Sequence, residues 1–443
     1  MLSTKLLLNI YNRITRRKIL QELSTLKSTI QYDKKKIRAY LDKKLTKNFI
    51  YISEHVPFYK KLFDKKLQGV ARYSPIEILK QLPVLEKDDI RRNLDNLLSD
   101  EYKNTKRICF DSTGGSTGQP LKFAYDRQYK DFRWAMIYYN LAMVGYKLGD
   151  CHGFVYGGNY DVKKQYSLRQ KMQDFMMNAF QVNAFFLNDK SLMKFAKKCR
   201  KRKPKFLIGY STALYQLALF VERKGIDLNF DFIESTSEVL TKEMRDTFHR
   251  VFGCETFDRY GCREVGNIAH ECKAHNGLHV NWQSVYVEIV NKGKYPWLSE
   301  DYGDIVVTSL RNKGMPFIRY ETGDIGRIED NPCRCGLCGP RLFLGGAREG
   351  DLLCAADGSY VSSPALTLIY KDLAVQEIQF VQRGKTDLLV NVIRASEYTD
   401  SSEKILLERL RKIFTKNMDI EFAYIENVKK EKSGKYRFTK RLF

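Results

Sequence analysis

The sequence predicts an α/β protein: a large multi-layer α/β N-terminal domain over residues 1–347 and a small, mobile α+β C-terminal domain over residues 348–443. Three observations predict it. Short strand-like runs alternate with helical ones from Gly153 to Tyr260, the pattern that gives parallel pairing beneath helices. From Leu278 to Ile328 the pattern turns to closely spaced β runs. The stretch Gly345-Gly346-Ala347-Arg348-Glu349-Gly350-Asp351 then supplies a glycine-rich joint suited to a hinge, followed by a separate unit of roughly ninety residues.

Size and composition support this plan. A chain of 443 residues, 43% of them apolar, can fill a real core. The formal charge of +24 predicts attraction to polyanions, whether nucleotides, nucleic acid or anionic lipid, and a lysine-rich coding bias gives the same balance without any such partner. No run of about eighteen uncharged apolar residues is present, so no membrane span is expected. The start, Met1 to Arg13, has too short an apolar run and no small-residue cleavage site for a signal peptide. Ten cysteines in such a chain are thiols or metal ligands rather than a disulfide framework, and the expected place is the cytoplasm.

The elements follow in order. Residues 1 to 60 are helical in pattern, with Leu6, Leu7, Ile10 and Ile14 on one stripe and Arg13, Arg16, Arg17 and Lys18 facing away. Such a stripe packs on the chain's own core, or makes peripheral contact with an anionic membrane at its inner face. Lys34 to Lys47 reads as a solvated helix face, Pro57 ends the helical region, and Pro75 and Pro83 punctuate the connection that follows. Tyr129 to Met143 is a helix whose aromatics, Phe132, Trp134, Tyr138 and Tyr139, belong to core or pocket. Gly153–Tyr156 and Phe206–Gly209 read as strands, with helices at Leu168–Asn178 and Thr212–Arg223. Glu255–Tyr260 is one more strand, ending in the turn Tyr260-Gly261-Cys262-Arg263-Glu264. Val285–Val290, Asp304–Ser309 and Phe317–Tyr320 are strands of the β-rich part. The last unit holds a helix at Ser402–Phe414 and a closing strand at Ile420–Ile425.

One stretch buries almost nothing and asks for another explanation. Asp111-Ser112-Thr113-Gly114-Gly115-Ser116-Thr117-Gly118-Gln119-Pro120 reads as a loop built for anions: glycines let the backbone approach a ligand, and N–H groups and hydroxyls can turn inward as donors. It is not a Walker loop, because the basic residue, Lys122, comes only after Gln-Pro-Leu.

This loop, with Tyr260-Gly261-Cys262-Arg263-Glu264, Tyr320-Glu321-Thr322-Gly323-Asp324, Arg348-Glu349-Gly350-Asp351 and Ser433-Gly434-Lys435, resembles in order and spacing the motif series of adenylate-forming (acyl-CoA synthetase-like) enzymes. Within them, His55-Val56-Pro57-Phe58-Tyr59, Leu82-Pro83-Val84-Leu85-Glu86-Lys87, Phe252-Gly253-Cys254, Gly277-Leu278-His279-Val280 and Ser433-Gly434-Lys435-Tyr436-Arg437 look like the phenylacetate-CoA ligase branch, close to members associated with capsular polysaccharide biosynthesis. The resemblance covers nearly all of the chain from residue 40 onward. It implies an adenylate-forming fold and a reaction in which a small carboxylic acid attacks the α-phosphate of ATP. Acyl-AMP and pyrophosphate form, and coenzyme A or an amine such as an amino-sugar takes the acyl group.

By the same resemblance, Ser112, Thr113, Gly114, Gly115, Ser116, Thr117 and Gly118 would hold the β and γ phosphates, where preorganised donors meet developing charge. Glu264 would hold Mg2+, Tyr260 would pack near the adenine and Asp324 would accept from the ribose hydroxyls. Arg348 would reach the ribose or phosphate, Asp351 would be the hinge, and Lys435 would counter charge as the two anions meet. Three positions depart from the pattern: Leu121 displaces Lys122 by one place, Cys262-Arg263 precedes Glu264, and Glu321 stands where a basic or neutral residue is common.

A second cluster is Cys272, His279, Cys333, Cys335 and Cys338, with His275 nearby, and thiolates with imidazole favour Zn2+ in a closed tetrahedral site. The resemblance places a structural zinc on Cys272, His279, Cys333 and Cys335, with Cys338 as the alternative fourth ligand. Charge alone would also suit a non-catalytic polyanion- or membrane-binding protein. The intact Glu264, Asp324 and Lys435 argue against that reading, and no nucleic-acid partner is expected.

Overall fold

A mixed sheet of eleven strands forms the backbone of the molecule, in the order β10-β11-β12-β13-β9-β8-β7-β6-β5-β3-β4. Its members are β3 (His152–Val155), β4 (Ala179–Val182), β5 (Phe206–Tyr210), β6 (Phe232–Thr236), β7 (Glu255–Cys262), β8 (Gly266–Glu271), β9 (Leu278–Val280), β10 (Val285–Val290), β11 (Gly303–Ser309), β12 (Tyr320–Glu329) and β13 (Arg341–Arg348). A separate hairpin pairs β1 (Ile108–Ser112) with β2 (Lys122–Asp126). The computed structural model describes residues 17–66, 73–112, 121–157, 168–184, 187–295, 298–348, 353–356, 360–361, 366, 369–370, 373–415, 417–428 and 438–443.

The expected alternation gives β4, β3, β5, β6 and β7 as parallel neighbours. These strands are covered on both faces and so carry apolar side chains in both directions, as in Phe206-Leu207-Ile208. The helix Arg127–Met143 packs on one face, its N-cap Asp126 accepting from the Tyr129 N–H. On the other face lie the helices Asp189–Arg202, Ser211–Arg223 and Lys242–Phe252. The antiparallel half, from β7 to β13, packs with the N-terminal helices in a third cluster around Leu45, Ile52, Val265 and Phe317.

Two expectations change. The helix Lys34–His55 does stop before Pro57, because Val56 takes extended dihedrals (φ −120°, ψ 104°) as a residue before proline must. Pro57, however, is the first residue of the next helix, Pro57–Lys66, where its missing N–H has no intrahelical use. The expected strand at Phe317–Tyr320 begins only at Tyr320. Arg319 adopts φ 53°, and its guanidinium reaches the buried Glu288 (3.2 Å) and the carbonyl of Lys80 (3.0 Å). The segment is a buried connector that passes its carbonyl to the Leu85 N–H at 2.8 Å.

The small C-terminal domain carries β14 (Leu353–Cys354), β15 (Tyr360–Val361), β16 (Val375–Gly384), β17 (Asp387–Arg394), β18 (Asp419–Tyr424) and β19 (Thr439–Arg441). Its four-stranded sheet, β18-β17-β16-β19, buries Phe380, Leu388 and Val390 against Leu406, Leu410 and Phe414 of the helix Asp400–Phe414. Among the described residues, no helix is long and apolar enough to cross a membrane.

Candidate active site

The β7–β8 hairpin positions the first of the expected site residues. A side chain at Gly261 would stand 2.4 Å from the Gly266 carbonyl oxygen, so only glycine permits the close approach that shifts the register after Tyr260. Beyond that shift, the turn presents Arg263 and Glu264. Tyr260 is buried, and its hydroxyl donates to the Asp324 carboxylate at 2.8 Å while lying 3.2 Å from the Thr322 hydroxyl. Burial and the Asp324 charge hold that phenol protonated far above its ordinary range. Gly323, at φ +79°, lets the chain fold back so that the Asp324 N–H meets the Thr322 hydroxyl at 3.2 Å.

Glu264 is held from the other side. The Tyr320 hydroxyl donates to its Oε1 at 2.9 Å, and both residues are buried, at 4% and 1% exposure. Burial, then the Glu264 carboxylate, raises the Cys262 thiol and the Tyr320 phenol well above their usual values, so both stay protonated beside it. Among the described residues, Glu264 has a phenol as donor and no cation within salt-bridge distance. A buried carboxylate in that condition fits a hard divalent cation such as Mg2+.

Ser112 ends β1, opposite Lys122 of β2. Arg263 donates to the Ser112 carbonyl at 3.1 Å and lies 3.9 Å from the Asp111 carboxylate, which ties the entry of the hydroxyl-rich stretch to the turn before Glu264. Arg348 faces Asp324 across the β12–β13 ladder. Thr113, Gly114, Gly115, Ser116, Thr117, Gly118, Asp351 and Lys435 lie outside the described residues, as do residues 1–16 of the basic helix. Tyr260, Glu264, Asp324, the backbone of Arg348 and the Ser112 carbonyl are thus brought together along the β7–β8 turn, β12 and the β1–β2 hairpin.

Tyr320, Thr322 and Lys87 were not singled out from the sequence as site residues. The Lys87 ammonium stands 3.2 Å from where a side chain at Gly323 would begin, next to Asp324. Its segment is held there by the bridge from Leu85 to Tyr320. The signal was available, since Lys87 closes one of the motifs quoted for the family resemblance.

The cysteine cluster is compact. Cys272 follows β8, His279 lies in β9, and Cys333 and Cys335 sit in the connection from β12 to β13. One ligand atom from each lies within 4.8 Å of all the others, with Cys272 Sγ 3.8 Å from Cys333 Sγ and Cys335 Sγ 3.2 Å from His279 Nε2. Zn–S bonds of about 2.3 Å set tetrahedral S···S edges of about 3.8 Å, which the first pair matches. Burial, then the charge of Arg341, lowers His279 to about 4 and so keeps the imidazole in its neutral, ligating form. Burial pushes the Cys272 thiol up to about 12, so a bound metal would have to draw out its proton. Cys338 is exposed and stands outside this group. The cluster can therefore hold a metal ion with Cys335, not Cys338, beside the other three.

Comparisons with known proteins bear on the lineage and the fold. A family model described as the CapK C-terminal domain matches residues 353–442. Protein CapK of Staphylococcus aureus is 26% identical over 408 residues, spanning 88% of this chain and 85% of that protein. Phenylacetate-coenzyme A ligase of Thermus thermophilus is 22% identical over 329 residues, 72% of each chain. Among solved structures, 2-hydroxyisobutyryl-CoA ligase in the postadenylation state, in complex with R3-HIB-AMP, superposes with a TM-score of 0.69 at 15% identity, covering 92% of this chain and 90% of that one. The same ligase in complex with 2-HIB-AMP and CoA in the thioesterification state gives 0.60 at 16% identity, over 93% and 91%. At such identities the structures speak for the fold, and the sequence relatives for the lineage. With an α/β adenylate-forming fold, a small C-terminal domain of the CapK kind and phenylacetate-coenzyme A ligases among its relatives, the chain belongs to the adenylate-forming ligase superfamily as an acyl-CoA ligase-like enzyme.

Proposed function

We propose that the protein activates a small carboxylic acid as its acyl-adenylate at the expense of ATP and passes the acyl group to coenzyme A, within capsule or surface polysaccharide biosynthesis. The observation that carries this reading is the paired arrangement at β12: Tyr260 holding Asp324, and Tyr320 holding Glu264, beside a turn whose Arg263 clasps the start of the hydroxyl-rich loop. In the first half-reaction a carboxylate oxygen forms a bond to the α-phosphorus, and the bond to the bridging oxygen breaks. Pyrophosphate leaves with the electron pair.

The chain's own groups divide this task. Asp324, fixed by the Tyr260 hydroxyl, would accept from ribose hydroxyls, and Arg348 would serve the same nucleotide. The Ser112 to Gly118 stretch supplies donors to the leaving diphosphate, where charge grows most. Lys435, carried by the small domain, would lower the mutual repulsion of the two anions. Glu264 would hold Mg2+ with phosphate oxygens, and such an ion screens the phosphate charge. In the second half-reaction the sulfur of coenzyme A bonds to the acyl carbon, AMP leaves, and the thiol proton passes to solvent. A turn of the C-terminal domain, from a boundary at residues 347/348 and about Asp351, would withdraw Lys435 between the steps. Cys272, His279, Cys333 and Cys335 would hold a structural Zn2+ that braces β8, β9 and β13.

Exchange of labelled pyrophosphate into ATP, measured across a panel of carboxylic acids, tests the reading. Acid-dependent exchange is expected. Exchange with none of a broad panel overturns it. Product mass with coenzyme A or an amino-sugar supplied decides the acceptor, and an amide product in place of a thioester would reassign the second step.

A further inference from the structure

One edge of the large sheet, free among the described residues, combines exposed apolar and basic side chains. β4 is the last strand in the sheet order, and the helix Leu168–Met176 leads into it. On that helix Met172 and Phe175, three residues apart and so on one face, are 56% and 74% exposed. The helix Asp189–Arg202, packed on the sheet face away from the helix Arg127–Met143, reaches the same edge. Arg202 donates to the Ala179 carbonyl (2.8 Å) and to Asn178 Oδ1 (2.7 Å), and Lys198 stands over the Phe180 ring at 5.0 Å.

This second helix is strongly basic on its outer side. Its buried residues are Leu192, Phe195, Ala196 and Cys199, while Lys190, Lys194, Lys197, Lys198, Arg200 and Lys201 are exposed. None of these six is in an ion pair among the described residues, and the helix's one acid, Asp189, is taken by Arg223 at 2.9 Å. Lysines do guard free sheet edges against pairing. A guard alone, however, gives no reason for two large apolar side chains to stand in water beside it.

We propose that this edge, with Met172 and Phe175 as apolar anchors and the basic helix beside them, docks the protein on an anionic lipid surface. Charge complementarity selects that occupant. A second copy would bring one lysine-rich helix against another, and the two side chains offer roughly 300 Å2, well below the roughly 800 Å2 per partner of a stable interface. A nucleic acid would use the lysines but has no need of Met172 and Phe175 at the surface of a helix. A bilayer uses both, through shallow insertion of the apolar pair and attraction of each cation, worth about fivefold in partition, to acidic headgroups.

Co-sedimentation of the full chain with vesicles of phosphatidylcholine, alone or mixed with phosphatidylglycerol, tests this. The mixed vesicles should carry the protein down and the neutral ones should not. Lys194→Glu with Lys198→Glu should weaken that partition by roughly tenfold or more, and Met172→Ser with Phe175→Ser by several-fold. Both variants should keep wild-type melting temperature, which shows that they fold. Absence of wild-type binding, or equal binding by both variants, would overturn the proposal. So would preference for a duplex RNA that the Met172→Ser, Phe175→Ser variant binds as well as wild type.

Discussion

Tyr320→Phe isolates the contact that orients Glu264. The substitution removes one oxygen and leaves the ring where Phe317 packs on it, at 5.1 Å between centroids, so no sizeable cavity opens. What is lost is a 2.9 Å hydrogen bond to a carboxylate that is only 4% exposed. A hydrogen bond to a charged group is worth about 1.5–3 kcal/mol. Unfolding entropy of about 2.1 cal/mol/K per residue, over 443 residues, converts that to a drop of about 2–3 °C in melting temperature. Activity should suffer more than stability, because a carboxylate free to rotate no longer meets the phosphates in one geometry. Acid-dependent pyrophosphate exchange should fall by roughly tenfold to a hundredfold, with a raised magnesium requirement. A double-mutant cycle with Glu264→Gln should give a coupling of about 1 kcal/mol or more. An unchanged melting temperature together with wild-type exchange at limiting magnesium would refute the reasoning.

Three other outcomes follow from the same structure. Lys435→Ala should lower acyl-adenylate formation by roughly two to three orders of magnitude while leaving ATP binding, read by calorimetry, largely intact. Purified protein should carry one zinc per chain by elemental analysis. Cys333→Ser should reduce that content and lower the melting temperature, whereas Cys338→Ser should do neither. Asp258 is raised to about 7, by burial first and then by the Glu271 charge. The folded state therefore holds a proton between about pH 4 and 7 that the unfolded state has released, so stability falls as pH rises through that window. Asp258 keeps some solvent access, and Asp258→Asn should recover about 1–2 kcal/mol at pH 8 relative to pH 5 in urea melts. An identical pH slope in the variant would show that another group sets it.

Of the parallel half of the sheet, β3 and β5 were legible because they are short apolar runs between helices, whereas the edge strand β4 was not singled out. β6 was less legible. Phe232-Ile233-Glu234-Ser235-Thr236 reads as polar until Arg259 and His270 are seen on either side of the fully buried Glu234, at 2.8 and 2.9 Å. β8 hides for the same reason, since His270 and Glu271 are both buried in it. Local pattern cannot report partners supplied by neighbouring strands. The cysteine–histidine cluster could be noticed because thiol spacing is itself chemical information, its four-residue set came with the family resemblance, and the fold brings Cys335 rather than Cys338 into it. The Tyr320–Glu264 pair could not be read, because it joins a turn residue to a strand residue 56 positions later in the chain.

The cysteine cluster also bears on how the chain is made. Cys272 and His279 emerge early in synthesis, but Cys333 is 61 positions behind Cys272, and β13, which pairs with β9 on the side away from β8, comes later still. A nascent chain therefore carries half of that four-residue socket and a strand without its second neighbour, while Asp324 and Tyr320, the partners of Tyr260 and Glu264, are still to come. Were the socket to take zinc as proposed, a shortage of that metal would be felt while the chain is being made, before β9 has both of its neighbours.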